Sequence, residues 1–225
     1  HSPGTNPLVS DADVDFLLRD VFDMASLLAL PAFEAHSVET FDMYLATIRR
    51  FSRERLYPAY QPMDRAPPVL VDGGVQVHPL AKALFPQLVA LGVLTADRAE
   101  AVGGFQLPSL IASAGSLYMM AANLAAVGYV SLTSGAAHLI EVFGDDDLRA
   151  RLMTPMYEGR WAGTMALTEP DAGRSLADLR TTATPTADGH YRMRGTKIFI
   201  SGGDQDITEN IVHLTLARIE GAPAG

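Results

Sequence analysis

Trp161-Ala162-Gly163-Thr164-Met165-Ala166-Leu167-Thr168-Glu169-Pro170-Asp171-Ala172-Gly173 is the stretch on which the fold turns. Before it the sequence is punctuated like a set of helices. From it onward Thr, Val, Ile and aromatic residues come in short runs between turn signals, as strands do. The stretch itself reads as a strand running into a turn held by Pro170 and Gly173. Its end leaves backbone groups and the Thr168 hydroxyl free. A second stretch, Gly195-Thr196-Lys197-Ile198-Phe199-Ile200-Ser201-Gly202-Gly203, offers an aromatic ring at Phe199 and a hydroxyl at Ser201. Together these groups suit a planar heteroaromatic ligand edged with carbonyl oxygens and ring nitrogens.

Working back from Trp161, the first two thirds of the chain predict helices. Ser10, with Asp11 and Asp13 behind it, suits a helix start, and Ser37 suits a second. Val14, Leu17, Leu18, Val21 and Leu28 recur at helical spacing, as do Phe41, Tyr44, Leu45, Ile48 and Phe51 or Leu56. Pro58 is expected to end the second helix, because proline disfavours helix at the residue before it. A loop-like passage follows over 58–78, then an apolar helix over 79–94, kinked at Pro86. Two more helices, separated near Gly128, are expected between Pro108 and Val142. The run Asp145-Asp146-Asp147 then caps a further helix through Leu148, Leu152 and Met156. Working forward, Asp188-Gly189 is a hairpin turn between strands over 179–184 and 191–194. Residues 197–201 and 211–219 read as two more strands. The expected fold class is therefore α+β: an all-helical bundle over 10–158, then an antiparallel, β-barrel-like domain over 159–225 that is incomplete at its C-terminal end. Residues 1–9 are set aside as an expression remnant or flexible lead.

Composition narrows the function. The 225 residues carry 26 acidic and 17 basic side chains, a net charge of −9, which disfavours a nucleic-acid surface. With no cysteine in the sequence, disulfides, thiolate metal sites and Cys nucleophiles are excluded, as suits a reducing, cytoplasmic setting. No Asp, Glu, Lys or Arg occurs over 101–140, a run long enough to span a bilayer. Its glycines, Pro108, Asn123 and His138 and its lack of basic flanks point instead to buried helices of a soluble bundle, without membrane insertion.

The two quoted stretches resemble the flavin-contacting segments of the acyl-CoA dehydrogenase family. Its pattern is Thr-Glu-Pro-x-Ala-Gly-Ser-Asp, then, some thirty residues on, Lys-x-aromatic-Ile-Ser/Thr-x-Gly. Here they stand as Thr168-Glu169-Pro170-Asp171-Ala172-Gly173 and Lys197-Ile198-Phe199-Ile200-Ser201-Gly202. The wording around Gly203-Asp204 and Thr208-Glu209-Asn210 looks most like the branch with larger subunits that acts on unusual or longer acyl chains. The resemblance implies FAD as cofactor, with Met165, Leu167 and Thr168 along the flavin ring. It places Phe199, Ile200 and Ser201 over the other side of the ring, and Gly173 near the phosphates or ribityl chain. It implies α,β-dehydrogenation of an acyl-CoA thioester, electron transfer to an electron-transferring flavoprotein, and a homo-oligomeric parent in fatty acid metabolism. The catalytic Glu and the C-terminal helical bundle would lie beyond Gly225, so these 225 residues alone would be inactive. Arg174-Ser175 departs from the family's Ser-Asp, leaving Arg174 either a pantetheine or phosphate contact to acyl-CoA or, more plainly, a surface arginine.

Plainer roles cover the remaining motifs. Glu169 reads as a turn-stabilising carboxylate rather than a general base. The six histidines have no metal-ligand spacing, the three consecutive aspartates lack the alternation of a calcium loop, and Met119-Met120 reads as core filling. Rival functions are an acyl-CoA oxidase or other flavoprotein of the same fold and, from another class, a membrane-associated scaffold anchored through 101–140.

Overall fold

A computed structural model describes residues 9–173 and 175–222. Helices come first and strands follow. Ser10 accepts the Asp13 N–H to start α1 (Asp11–Phe16), which continues through a π-helical turn, Leu17–Val21. Ser37 likewise accepts the Thr40 N–H to start α2 (Val38–Phe51). Pro58 does not stop the chain. A π-turn at Ser52–Leu56 carries α2 into α3 (Tyr57–Arg65), where Pro58 falls in the first turn and its missing N–H goes unmissed.

The loop-like passage holds a small antiparallel hairpin, β1 (Val69–Val71) and β2 (Gly74–Gln76). Asp72 and Gly73 turn it with φ of 49° and 85°, the left-handed pair a tight hairpin needs. α4 (Pro79–Ala90) follows, shorter than expected because Gly92 at φ 71° turns the chain away.

One helix of 35 residues, α5 (Ser109–Phe143), stands where two were expected. Its axis is nevertheless broken, at Asn123 rather than Gly128: Asn123 has φ −163° and ψ 83°. The buried Asn123 side chain supplies what the break removes. Its Oδ1 accepts the Ala126 N–H at 3.0 Å, and its Nδ2 donates to the Leu56 carbonyl at 3.2 Å. Asn123→Ala would orphan these groups, so we expect a loss of about 2 kcal/mol in urea unfolding. Unchanged stability would show that the break is held by something else.

By length and composition α5 could cross a membrane. In this fold it runs through the core, with buried positions from Ile111 to Ile140. Tyr118, Val127 and Val130 join Phe41, Ile48, Leu56 and Leu88 in the main core. Met119 is buried with them, whereas Met120 is 43% exposed and so is not core filling.

After α5, Asp145 accepts the Leu148 N–H and caps α6 (Asp146–Leu148), as expected. A π-turn at Arg149–Met153 leads to α7 (Thr154–Tyr157). Then come β3 (Trp161–Ala166), β4 (Thr182–Pro185), β5 (Tyr191–Arg194), β6 (Asn210–Thr215) and β7 (Arg218–Ile219). Helices followed by strands is the predicted class. The pairing is only partly antiparallel. β4 and β5 form the expected hairpin, but β3 pairs with β6 and β4 with β7 in parallel, and no closed barrel forms among the described residues. Between β3 and β6, and between β4 and β7, the chain leaves one small sheet for the other, and it returns parallel to the strand it left. A second core of Ala136, Ala137, Ile140, Met153 and Met156 lies against Trp161, Val212 and Leu214, joining α5 to the β3–β6 pair.

Candidate functional site

β3 is seated on α5 by a close crossing. Gly163 is buried and donates its N–H to the Thr133 hydroxyl at 3.1 Å. A β-carbon there would lie 2.4 Å from Met156 Cε and 2.7 Å from Ala136 Cβ. The pleat then alternates, leaving Met165 half-buried between the buried Thr164 and Ala166. Thr164 shares a 2.7 Å hydrogen bond with His213 Nδ1 on β6.

Past Ala166 the two motif stretches meet. Ile198 donates its N–H to the Thr168 carbonyl at 2.9 Å, and Lys197 Nζ donates to the Leu167 carbonyl, also at 2.9 Å. Glu169 closes the junction from beneath. Its Oε1 accepts from Lys197 Nζ at 2.8 Å and from the Thr181 N–H at 3.0 Å, while Oε2 accepts the Arg180 N–H at 2.7 Å. Lys197's ammonium, with those backbone donors, holds the Glu169 carboxyl down at about 2. A carboxylate so weakly basic and so fully bonded cannot serve as a general base near neutral pH. It acts as the turn-stabilising group expected from the sequence.

Leu167 and Thr168 stay half-buried on the ledge above this junction. The turn closes through paired backbone bonds between Glu169 and Ala172. Gly173 is exposed, and no atom lies within 4 Å of where its β-carbon would be, so the fold itself makes no demand for glycine there. Arg174 lies outside the described residues.

The predicted strand over 197–201 does not form. After the single bond at Ile198 the backbone turns at Phe199, φ 58°, and again at Gly202, φ 64°, with the Gly203 N–H bonded to the Ile200 carbonyl. Positive φ at two positions cannot continue a ladder. The turn leaves Phe199 88% exposed, Ile200 half-buried and Ser201 exposed, and a β-carbon on Gly202 would touch the Tyr129 ring at 3.4 Å.

Met165, Leu167, Thr168 and Gly173 thus share one strand and its turn. The Phe199–Ser201 corner is tied to that turn through Lys197 and Ile198. A planar ligand could be held along this ledge by an exposed aromatic ring, backbone groups and open space at a glycine. Two carboxylates beside the corner were not singled out from the sequence: Asp204 and Asp206, which accept backbone N–H groups of Val75 and Val77. Their alternation around Gln205 was the available signal. Among the described residues no three of His, Asp and Glu gather as a metal site would require.

The family model for the acyl-CoA dehydrogenase N-terminal domain matches residues 39–160. The chain is 33% identical to the 3-methylmercaptopropionyl-CoA dehydrogenase of Ruegeria pomeroyi, over 95% of this chain and 36% of that one. It is 32% identical to a butyryl-CoA dehydrogenase of Syntrophomonas wolfei, over 98% of this chain and 37% of that one. It therefore spans little more than a third of these relatives' length. Among solved structures, a glutaryl-CoA dehydrogenase from Mycobacterium smegmatis superposes with a TM-score of 0.68 at 25% identity, covering 88% of this chain and 46% of that one. An acyl-CoA dehydrogenase from Bacillus anthracis complexed with FAD shares the fold, with a TM-score of 0.67 at 24% identity over 84% of this chain and 30% of that one. With the family model covering more than half of its length, the chain belongs to the acyl-CoA dehydrogenase family.

Proposed function

We propose that residues 159–222 carry part of an FAD site, and that the protein to which this chain belongs oxidises an acyl-CoA thioester to its α,β-unsaturated form. The observation that carries the reading is the junction at Thr168 and Ile198, which ties both motif stretches to one ledge. Met165, Leu167 and Thr168 would line one side of the flavin ring, and Phe199, Ile200 and Ser201 would cover the other. Gly173 would leave room for the ribityl or phosphate portion. The residues fit this group: Phe199 presents an uncovered ring beside polar backbone, and the space at Gly173 would be filled by any side chain.

When bound, FAD supplies the hydride acceptor for the substrate's β-carbon. The chain's own residues would orient the ring along the ledge, and Lys197 with the Arg180 and Thr181 N–H groups keeps Glu169 out of proton transfer. The base would be a Glu outside these residues, and electrons would pass to an electron-transferring flavoprotein. A division near residue 158 into a helical and a β-domain, a cytoplasmic location and a homo-oligomeric assembly belong to the same reading, as does an acyl-CoA contact by Arg174.

The test is a visible absorption spectrum paired with intact mass, followed by acyl-CoA-dependent dye reduction. Full-length protein should show bound flavin, and Phe199→Ala together with Thr168→Val should weaken its retention about tenfold or more. Colourless full-length protein that takes up no FAD would overturn the reading.

A further inference from the structure

The segment that follows Phe199–Gly203 has no regular secondary structure, yet it is bound at closely spaced points to the helical part of the fold. Asp204 Oδ2 accepts the Val75 N–H at 2.9 Å, and Asp206 Oδ1 accepts the Val77 N–H at 2.9 Å. Val75 lies in β2 and Val77 directly follows it, so these two donors stand two residues apart along one strand edge. The carboxylates stand where the carbonyls of a neighbouring strand would. Lys82, in the first turn of α4, takes the other oxygen of Asp206.

Between the two aspartates, Gln205 is buried, 6% exposed. Its Oε1 accepts the N–H groups of Ile207 and Thr208, and its Nε2 donates to the Thr208 hydroxyl at 2.7 Å. Ile207 packs against the main helical core. On the other side Gly202 rests on Tyr129. The corner carrying Phe199 and Ser201 is therefore held at both ends. Lys197 and Ile198 fix it to the β3 turn, and Asp204 and Asp206 fix it to the β1–β2 hairpin.

The Lys82–Asp206 pair is 41% and 35% exposed, so the ion pair contributes little by itself. The hydrogen bonds from backbone N–H to carboxylate are the stronger members of the set. They are also directional, because each acceptor must face one strand edge.

We infer that Asp204 and Asp206 are positioning residues, which set from the helical part of the fold the conformation in which Phe199 and Ser201 face the flavin. The inference rests on the FAD reading above and deepens it. Neither residue touches the ledge; each acts through the 199–203 corner.

The test uses the full-length holoenzyme and three readouts: FAD dissociation constant, melting temperature, and amide exchange at Val75 and Val77. The Asp204→Ala/Asp206→Ala protein should bind FAD about tenfold more weakly. Exchange at Val75 and Val77 should accelerate while β3 and β6 stay protected. Asp206→Asn keeps an acceptor for the Val77 N–H and loses only the charge, so it should stay within about threefold of wild type. If the double alanine protein does not fold, Asp204→Ala alone must still weaken FAD binding by several-fold. Faster exchange at Val75 and Val77 with FAD affinity within twofold of wild type would overturn the inference while leaving the flavin site intact. Wild-type protein that binds no FAD would instead overturn the flavin reading, before any variant is measured.

Discussion

Gly163→Val lowers stability by about 3 kcal/mol or more, measured by urea unfolding followed by circular dichroism. The cause is the crossing of β3 over α5. Even a single β-carbon at Gly163 would sit 2.4 Å from Met156 Cε and 2.7 Å from Ala136 Cβ. The methionine tip can swing aside, but the alanine β-carbon is fixed to α5, so helix and strand must separate. Separation also stretches the Gly163–Thr133 hydrogen bond. Gly163→Ala should therefore be milder than the valine, and Gly163→Ala with Ala136→Gly should recover part of the loss. Because Met165, Leu167 and Thr168 continue the same strand, FAD retention should fall along with stability. A valine variant as stable as wild type would mean that the crossing is looser than described.

Breaking the Glu169–Lys197 pair is the second large effect. The side chains are 5% and 11% exposed, and Lys197 also holds the Leu167 carbonyl. Lys197→Met leaves a buried carboxylate facing an apolar side chain, and the melting temperature should drop by on the order of 10 °C. Glu169→Gln provides the pH test. Glu169 ionises at about 2 in the folded protein against an ordinary 4.5. A depressed pKa means the ionised group favours the fold: the contribution is complete above pH 4.5 and is lost as pH falls towards about 2. The melting-temperature gap between wild type and Glu169→Gln should thus be constant above pH 5 and close progressively below 4.5. A gap independent of pH would show that Glu169 is not held by Lys197 in this way.

The order of elements was largely legible, because each start carries its own chemistry. Ser10, Ser37 and Asp145 accept the N–H groups that their positions imply, and Asp188-Gly189 turns the β4–β5 hairpin. The misread elements share a cause: tertiary contacts replaced the local rule. Pro58 carries the local signal of a stop, but a π-helical turn resets the register so that it falls in a first turn. Gly128 carries the local signal of a break in α5, yet the buried Asn123, bonded to Leu56 far away in sequence, makes it. The direction of β6 depends on where the chain re-enters the sheet, which no local pattern records. At the candidate site, the meeting of the two stretches followed from their motifs. The exposed turn at Phe199 did not, because Lys-Ile-Phe-Ile-Ser alternates as a strand would. Its departure from the ladder is set by Gly202 against Tyr129 and by Asp204 and Asp206 on the hairpin.

The parallel pairing of β3 with β6 has a consequence for how the molecule comes into being. Thr164 and His213 are partners across 49 residues, and the turn that follows β3 and the whole of the second stretch lie inside that interval. Closing so long an excursion is entropically slow compared with forming neighbouring helices. The helical part can therefore condense as soon as α5 has emerged, whereas β3, the strand that leads into the ledge, lacks its parallel partner until β6 arrives. The strand half of the fold is the late-born half, and the ledge takes its final shape only after the chain has returned to β3.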